Sequence, residues 1–146
     1  MVMNMKNSRE MLSSILKTTQ MGQVGIRSVL DNSMRPGLRK ALESQLREYD
    51  CIESEAHAIA SRRGWEMREL DPAVRFLADR MTRMKLSRGN SDSRIADMMI
   101  QGNTKGMIKG IQNLHQFTQD DAMVSTLSQK LIDCETANIR QMHPYL

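Results

Sequence analysis

Aromatic side chains are nearly absent from this sequence of 146 residues, which contains two Phe, two Tyr and one Trp. β-Sheet proteins depend on aromatic and β-branched residues for packing, so this shortage argues against a sheet. Methionine, by contrast, occurs 14 times, and its flexible side chain fills the irregular gaps between packed helices. The composition therefore predicts an all-α protein.

The sequence also lacks long apolar runs and has few cysteines. No stretch is long and apolar enough for a signal peptide or a membrane-spanning helix, so we expect a cytoplasmic protein with no membrane partner. The two cysteines, Cys51 and Cys134, lie within predicted helices. In a reducing compartment we expect unpaired thiols that fill the core, because free cysteine behaves as a small hydrophobic residue.

Apolar residues that recur at steps of three and four positions predict five helices. These span about residues 8–31, 36–63, 72–88, 92–117 and 120–142 of a single domain, and residues 1–7 are predicted to be disordered. Short links join the first helix to the second and the fourth to the fifth, whereas a much longer segment separates the two pairs. Two hairpins joined by one long crossover predict a ferritin-like four-helix bundle, with the short third helix on the crossover.

The fourth and fifth predicted helices share a pattern of apolar and small residues. It consists of Met98, Met99, Ile100, Gly102, Asn103, Gly106, Val124, Leu127, Asn138, Ile139, Met142, Tyr145 and Leu146. This pattern resembles DUF305, a bacterial family of ferritin-like domains of unknown function. In that family two adjacent histidines and a methionine-rich turn imply copper or silver binding. Gly102 and Asn103 occupy those histidine positions here, so the resemblance implies the fold without the family's histidine ligands.

Ferritin-like bundles often hold two iron ions between Glu and Glu-x-x-His motifs, and this sequence offers part of such a site. Glu53 and His57 lie four positions apart on the second helix, and Glu135 lies on the fifth with Asn138 at the expected histidine position. Together with His115 they are candidate ligands of a divalent metal in a non-standard site. The simpler interpretation is that Glu53 and His57 form an exposed helical pair.

Methionine sulfur is also a ligand for Cu(I). The candidates are Met81, Met84, Met98, Met99, Met107 and Met142. Their helical spacing is more typical of core residues, so no cofactor is expected and Cu(I) is kept as an alternative.

Three glycines recur at four-residue spacing on the fourth helix. They are Gly102, Gly106 and Gly110, and Asn103 lies beside the first. Each glycine costs up to about 1 kcal/mol relative to alanine within a helix, whereas small residues at this spacing let another helix approach closely. The stripe is predicted either to pack against the first helix, at Gly22 and Gly25, or to form a dimer or ligand groove.

Basic residues are concentrated in the first two-thirds of the chain, where residues 1–90 carry 16 Lys and Arg against 11 Asp and Glu. Around the third helix the candidate phosphate contacts are Arg80, Arg83, Arg88 and Arg94. Such a patch attracts nucleic acid, but Asp71, Asp79 and Asp92 interrupt it. A solvated helical face is the simpler interpretation.

No Ser, Cys or His stands in a motif typical of nucleophilic catalysis, so we do not expect an enzyme. We expect a non-catalytic helical bundle that acts by association, as a homo-oligomer or with a protein partner. A metal-binding or metal-storage protein is the first alternative, and a weak nucleic-acid binder is the second.

Overall fold

The computed structural model describes residues 7–117 and 120–146 of the chain. Within these ranges the helices are α1 (Ser8–Leu30), α2 (Pro36–Arg63), α3 (Pro72–Ser87), α4 (Asp92–Gln116) and α5 (Ala122–Met142), followed by a 3-10 turn at His143–Tyr145. The prediction of an all-α protein is confirmed. The disorder predicted for residues 1–7 lies outside the described residues, apart from Asn7.

Local chemistry explains where the helices begin and end. Asn7 caps α1, because its Oδ1 accepts a hydrogen bond from the Glu10 amide at 2.9 Å. Pro36 and Pro72 begin α2 and α3, where a missing amide hydrogen costs nothing. Gly64 ends α2 with a φ of 65°, a left-handed conformation that glycine adopts without strain.

The first hairpin consists of α1 and α2, which run antiparallel. Gln23 Nε2 of α1 donates to Asp50 Oδ1 at 2.9 Å, and one turn earlier Gln20 Nε2 donates to Glu53 Oε2 at 3.1 Å. A step toward the start of α1 thus corresponds to a step toward the end of α2, as expected for antiparallel helices. The connection between the two helices is short, as helical hairpins require.

The second hairpin, α4 and α5, packs across the first. Asn113 near the end of α4 donates to Ser14 near the start of α1 at 2.6 Å, while Asp92 at the start of α4 accepts from Arg35 beyond the end of α1 at 2.7 Å. Consequently α4 runs antiparallel to α1, and α5 contacts both α2 and α4.

The third helix forms the return path between the hairpins and runs parallel to α1. Ser28 of α1 donates to Asp79 at 2.5 Å, and Asp31 accepts from Arg83 at 2.7 Å. The residue numbers of the two partners increase together, as expected for parallel segments. α3 packs mainly on α1. It therefore lies on the outer side of α1, and its Leu86 side chain reaches the core.

Buried apolar side chains from all five helices form the core. The largest fully buried side chains include Leu12, Leu16, Leu38, Leu42, Ile52, Ile95, Val124 and Met142. Two predictions were wrong. Cys51 is exposed, because it lies on the outer face of α2, and Met81 and Met84 of α3 are 50% and 60% exposed, because only one neighbouring helix covers α3.

Among the described residues, no helix is both long and apolar enough to cross a membrane.

Candidate functional site

A buried polar network joins α2, α4 and α5 at their centre. The Tyr49 hydroxyl donates to Asn103 Oδ1 at 2.9 Å, and Asn138 Nδ2 donates to the same oxygen at 3.2 Å. Asn103 Nδ2 in turn donates to the carbonyl of Met99 at 2.7 Å. A satisfied polar network fixes the relative positions of the helices that contribute to it. Asn103, predicted as a helix-packing or interface residue, is buried and links three helices of the same chain.

Glu135 lies beside this network and is only 2% exposed. Burial raises the pKa of its carboxyl group to about 8, against a smaller opposing effect of the nearby Tyr49 hydroxyl. The same environment raises the pKa of the Tyr49 hydroxyl, first through burial and then through the nearby Glu135. At neutral pH the site therefore holds an uncharged carboxylic acid.

The glycine stripe of α4 packs against α5 and not, as one alternative predicted, against α1. A Cβ added to Gly106 would lie 2.8 Å from Glu135 Oε1, and one added to Gly110 would lie 2.8 Å from Ile132 Cγ1. Gly102 is different, because nothing lies within 4 Å of its added Cβ. Two glycines thus serve close helix packing, and the third opens onto a groove.

That groove, called here the α1–α3–α4 groove, lies between α1, α3 and α4. Its volume is about 560 Å³. Its apolar wall includes Met21, Val24, Ala78, Met81, Met98 and Met99. Four lysines also line it, and they are Lys17, Lys85, Lys105 and Lys109. A ligand groove at the glycine stripe was one alternative from the sequence, but the part that α3 plays in forming this groove was not predicted, because it depends on α3 lying beside α1 and α4.

An exposed apolar row on α3, called here the α3 stripe, is the second surface feature. It consists of Val74, Leu77, Met81 and Met84. Their exposed fractions run from 44% to 60%, and Phe76 nearby reaches 66%. The spacing alternates between three and four residues, which is the pattern of the a and d positions of a coiled coil. Such a row normally faces a second helix.

The candidate metal ligands do not meet at one point. Glu53 accepts hydrogen bonds from Gln20 and Gln23 of α1, and His57 Nε2 lies 3.2 Å from Glu69 Oε1. Within the described part of the chain, Glu135 contacts none of these residues through a hydrogen bond or ion pair, and it lies against Gly106 in the core. The remaining candidate, His115, is exposed near the end of α4. Throughout residues 7–117 and 120–146, no three His, Cys, Asp or Glu side chains are placed to hold a metal ion.

The predicted basic patch is partly neutralised. Arg83 pairs with Asp79 of its own helix and with Asp31 of α1. Arg94 donates through Nε to the Lys85 carbonyl at 3.3 Å. The other two patch residues, Arg80 and Arg88, are exposed. The Arg80 guanidinium lies 5.8 Å from the Phe76 ring centre. Arg88 is the C-cap of α3.

Comparison with known proteins gives no match to a family model, to a curated protein or to a solved structure. The resemblance to DUF305 therefore stays a prediction.

Proposed function

We propose that the chain is a non-catalytic helical bundle of ferritin-like arrangement that acts by binding a partner protein through the α3 stripe. The arrangement is supported by two antiparallel hairpins joined through one long crossover, the order typical of ferritin-like folds. Two unpaired cysteines suit the proposed cytoplasmic location. The α3 stripe carries the functional part of the proposal.

The exposure of the α3 stripe favours a docking helix. Soluble monomers commonly leave single apolar side chains exposed, whereas contiguous apolar patches mark interaction sites. Leu77 and Met84 are 58% and 60% exposed on one face of one helix. A partner helix that inserted its own apolar row would cover both.

Charge favours a different protein over a second copy of this chain. Arg80 and Lys85 flank the α3 stripe at the g and e positions of its heptad pattern. Two α3 helices packed together would place these cations near one another, which is unfavourable. An amphipathic helix with Glu or Asp in the flanking positions would instead complement them. Self-association is accordingly the second candidate.

A synthetic peptide provides the test. A labelled heptad peptide with Leu at a and d and Glu at e and g should bind the intact chain, as measured by fluorescence anisotropy. The same peptide with Lys in place of Glu should bind at least about tenfold more weakly, because like charges then meet across the interface. Leu77→Ser should abolish binding of the acidic peptide. Equal binding of both peptides, or binding that survives Leu77→Ser, would contradict the proposal.

Sedimentation of the chain alone separates a different partner from self-association. We expect a monomer over the micromolar range. A dimer that Leu77→Ser dissociates would favour self-association through the same stripe.

Metal storage and nucleic-acid binding have less support. Metal storage would require Glu53, His57 and Glu135 to act together. Gln20 links Glu53 to Glu69, the partner of His57, but Glu135 lies apart from them against Gly106. Elemental analysis after incubation with Fe(II), Zn(II) and Cu(I) tests it directly. Nucleic-acid binding would rest on arginines of which Arg83 already pairs with two carboxylates; a salt-dependent DNA shift would be its signature.

A further inference from the structure

We propose that the α1–α3–α4 groove is a binding site for a small amphipathic anion, an unbranched aliphatic chain that ends in a carboxylate or a phosphate. The proposal does not depend on the protein partner of the α3 stripe. Met81 and Lys85 belong to both surfaces, so the variants below use residues of the groove alone.

The size of the groove suits a small molecule. A volume of about 560 Å³ falls within the range of about 300–1,000 Å³ that small-molecule sites occupy. Two glycines keep the space open, because nothing lies within 4 Å of a Cβ added to Gly25 or Gly102. Both glycines line the groove, so a large side chain at either position is expected to narrow it.

The groove is elongated along α1. Its wall includes residues from Lys17 to Ile26 of that helix, a length of about 14 Å at about 1.5 Å per residue. Lys17 and Lys109 mark one end, one turn from the Ser14–Asn113 hydrogen bond. Ala78 of α3 lies at the other end, next to Asp79, which accepts a hydrogen bond from Ser28. A long, narrow ligand fits this shape better than a compact one.

The walls favour an aliphatic chain. Four methionines line the groove, and their unbranched side chains can adapt to a flexible ligand. They are Met21, Met81, Met98 and Met99. Tyr49 carries the single aromatic ring of the wall residues, and its hydroxyl is already bound to Asn103. A planar base or ring would therefore find no pair of rings between which to stack.

The charges favour an anion. In the part of the chain that the structure describes, none of the ammonium groups of Lys17, Lys85, Lys105 and Lys109 is paired with a carboxylate. Glu135 is the single acidic residue of the wall, and burial raises its pKa to about 8, so it is uncharged at neutral pH. Unpaired cations beside a low-dielectric cavity attract a negative head group.

Titration calorimetry of the intact chain tests the proposal with four probes that each carry an unbranched tail of nine or ten carbons. Decanoate and decyl phosphate, used below their micelle concentrations, should each bind with one molecule per chain, and the stronger of the two identifies the head group. Decanol should bind more weakly than either. Decyltrimethylammonium should bind at least about tenfold more weakly than decanoate, because it meets the lysines with a like charge.

Two groove variants distinguish the contribution of the aliphatic tail to binding from that of the charged head group. Gly102→Leu fills the open space and should abolish binding of decanoate and decanol alike. Lys105→Glu combined with Lys109→Glu should weaken decanoate at least about tenfold but leave decanol unchanged. Ala137→Leu and Lys40→Glu are matched controls on exposed positions outside the groove and should bind normally.

The outcomes are distinct. Equal binding of the cationic and anionic probes, several molecules per chain, or undiminished binding by Gly102→Leu would show adsorption to apolar surface and overturn the proposal. If Gly102→Leu loses its helical circular dichroism, Gly25→Leu replaces it as the blocking variant. If Gly102→Leu abolishes binding of the acidic heptad peptide but not of decanoate, the groove is a helix-binding surface, which also overturns the proposal.

Discussion

The ring of Tyr49 on α2 lies directly against Gly22 on α1, so closely that a Cβ at residue 22 would be 2.6 Å from Cζ. The ring has little freedom to move, because Tyr49 is 2% exposed and its hydroxyl donates to Asn103 at 2.9 Å. This contact brings the first hairpin against the polar network shared with α4 and α5.

The contact predicts opposite effects for two glycines on one helix. Gly22→Ala should lower the free energy of unfolding by about 1–3 kcal/mol, because the added methyl group collides with a fixed ring. Gly25→Ala, one turn away with nothing within 4 Å of its added Cβ, should raise it by about 0.5–1 kcal/mol through better helix propensity. Urea denaturation of both variants measures the difference, and a stabilising Gly22→Ala would contradict the contact.

Glu135 predicts a pH dependence of stability. Its folded-state pKa of about 8 exceeds its ordinary value of 4.5, so the folded chain holds this proton more tightly than the unfolded chain. The stability linked to this group is therefore fully present below about pH 4.5 and is lost as the pH rises through about 8. Between those limits the loss should be about 3–5 kcal/mol.

A comparison with Glu135→Gln isolates this effect from other titrations. The variant keeps the shape of the side chain but carries no charge at any pH. Relative to the wild type, its free energy of unfolding should increase as the pH is raised from about 5 to about 9. Glu43→Gln, an exposed change on α2, should show no such trend. Parallel pH profiles for wild type and Glu135→Gln would show that Glu135 ionises normally.

The two sides of α3 should respond differently to mutation. Leu86 is 4% exposed and packs against the core, so Leu86→Ala should cost about 2–4 kcal/mol. Leu77 is 58% exposed, so Leu77→Ala should change stability by no more than about 0.5 kcal/mol. Thermal unfolding of both variants measures this. A large loss in Leu77→Ala would mean that the stripe is already covered.

Asp121 connects the start of α5 to the end of α2. Its carboxylate accepts from the Val124 amide at 3.3 Å and pairs with Arg63. Asp121→Ala should therefore lower the free energy of unfolding by about 1–2 kcal/mol, the usual cost of losing a helix cap. Asp133→Ala, an exposed change on the same helix, should stay within about 0.5 kcal/mol. Equal effects in the two variants would argue against the cap.

Much of the fold could be predicted because helix faces repeat within the sequence. Leu42, Gln45 and Tyr49 recur at steps of three and four on α2, and all three are buried. The end of α2 at Gly64 and the start of α3 at Pro72 could also be predicted, because Gly and Pro restrict helices through their own backbone geometry. The start of α5 was less well predicted, at residue 120 against the observed Ala122.

The candidate site could be predicted only in its residue types. The sequence indicated Gly106 as part of a glycine stripe and Glu135 as a candidate metal ligand, but their contact depends on α5 lying beside α4 at one register. Likewise the exposure of Met84 depends on α3 having only one main neighbour, since the same spacing would suit a buried helix.

Helical periodicity, caps and turn residues, which act within a few positions of one another, were thus determined by the sequence itself. Tertiary structure alone decided the rest. In the tertiary structure α3 packs beside α1, a groove lies between α1, α3 and α4, and Glu135 is buried. The physical reason is that packing, burial and pKa depend on neighbours distant in the chain, which local spacing does not specify.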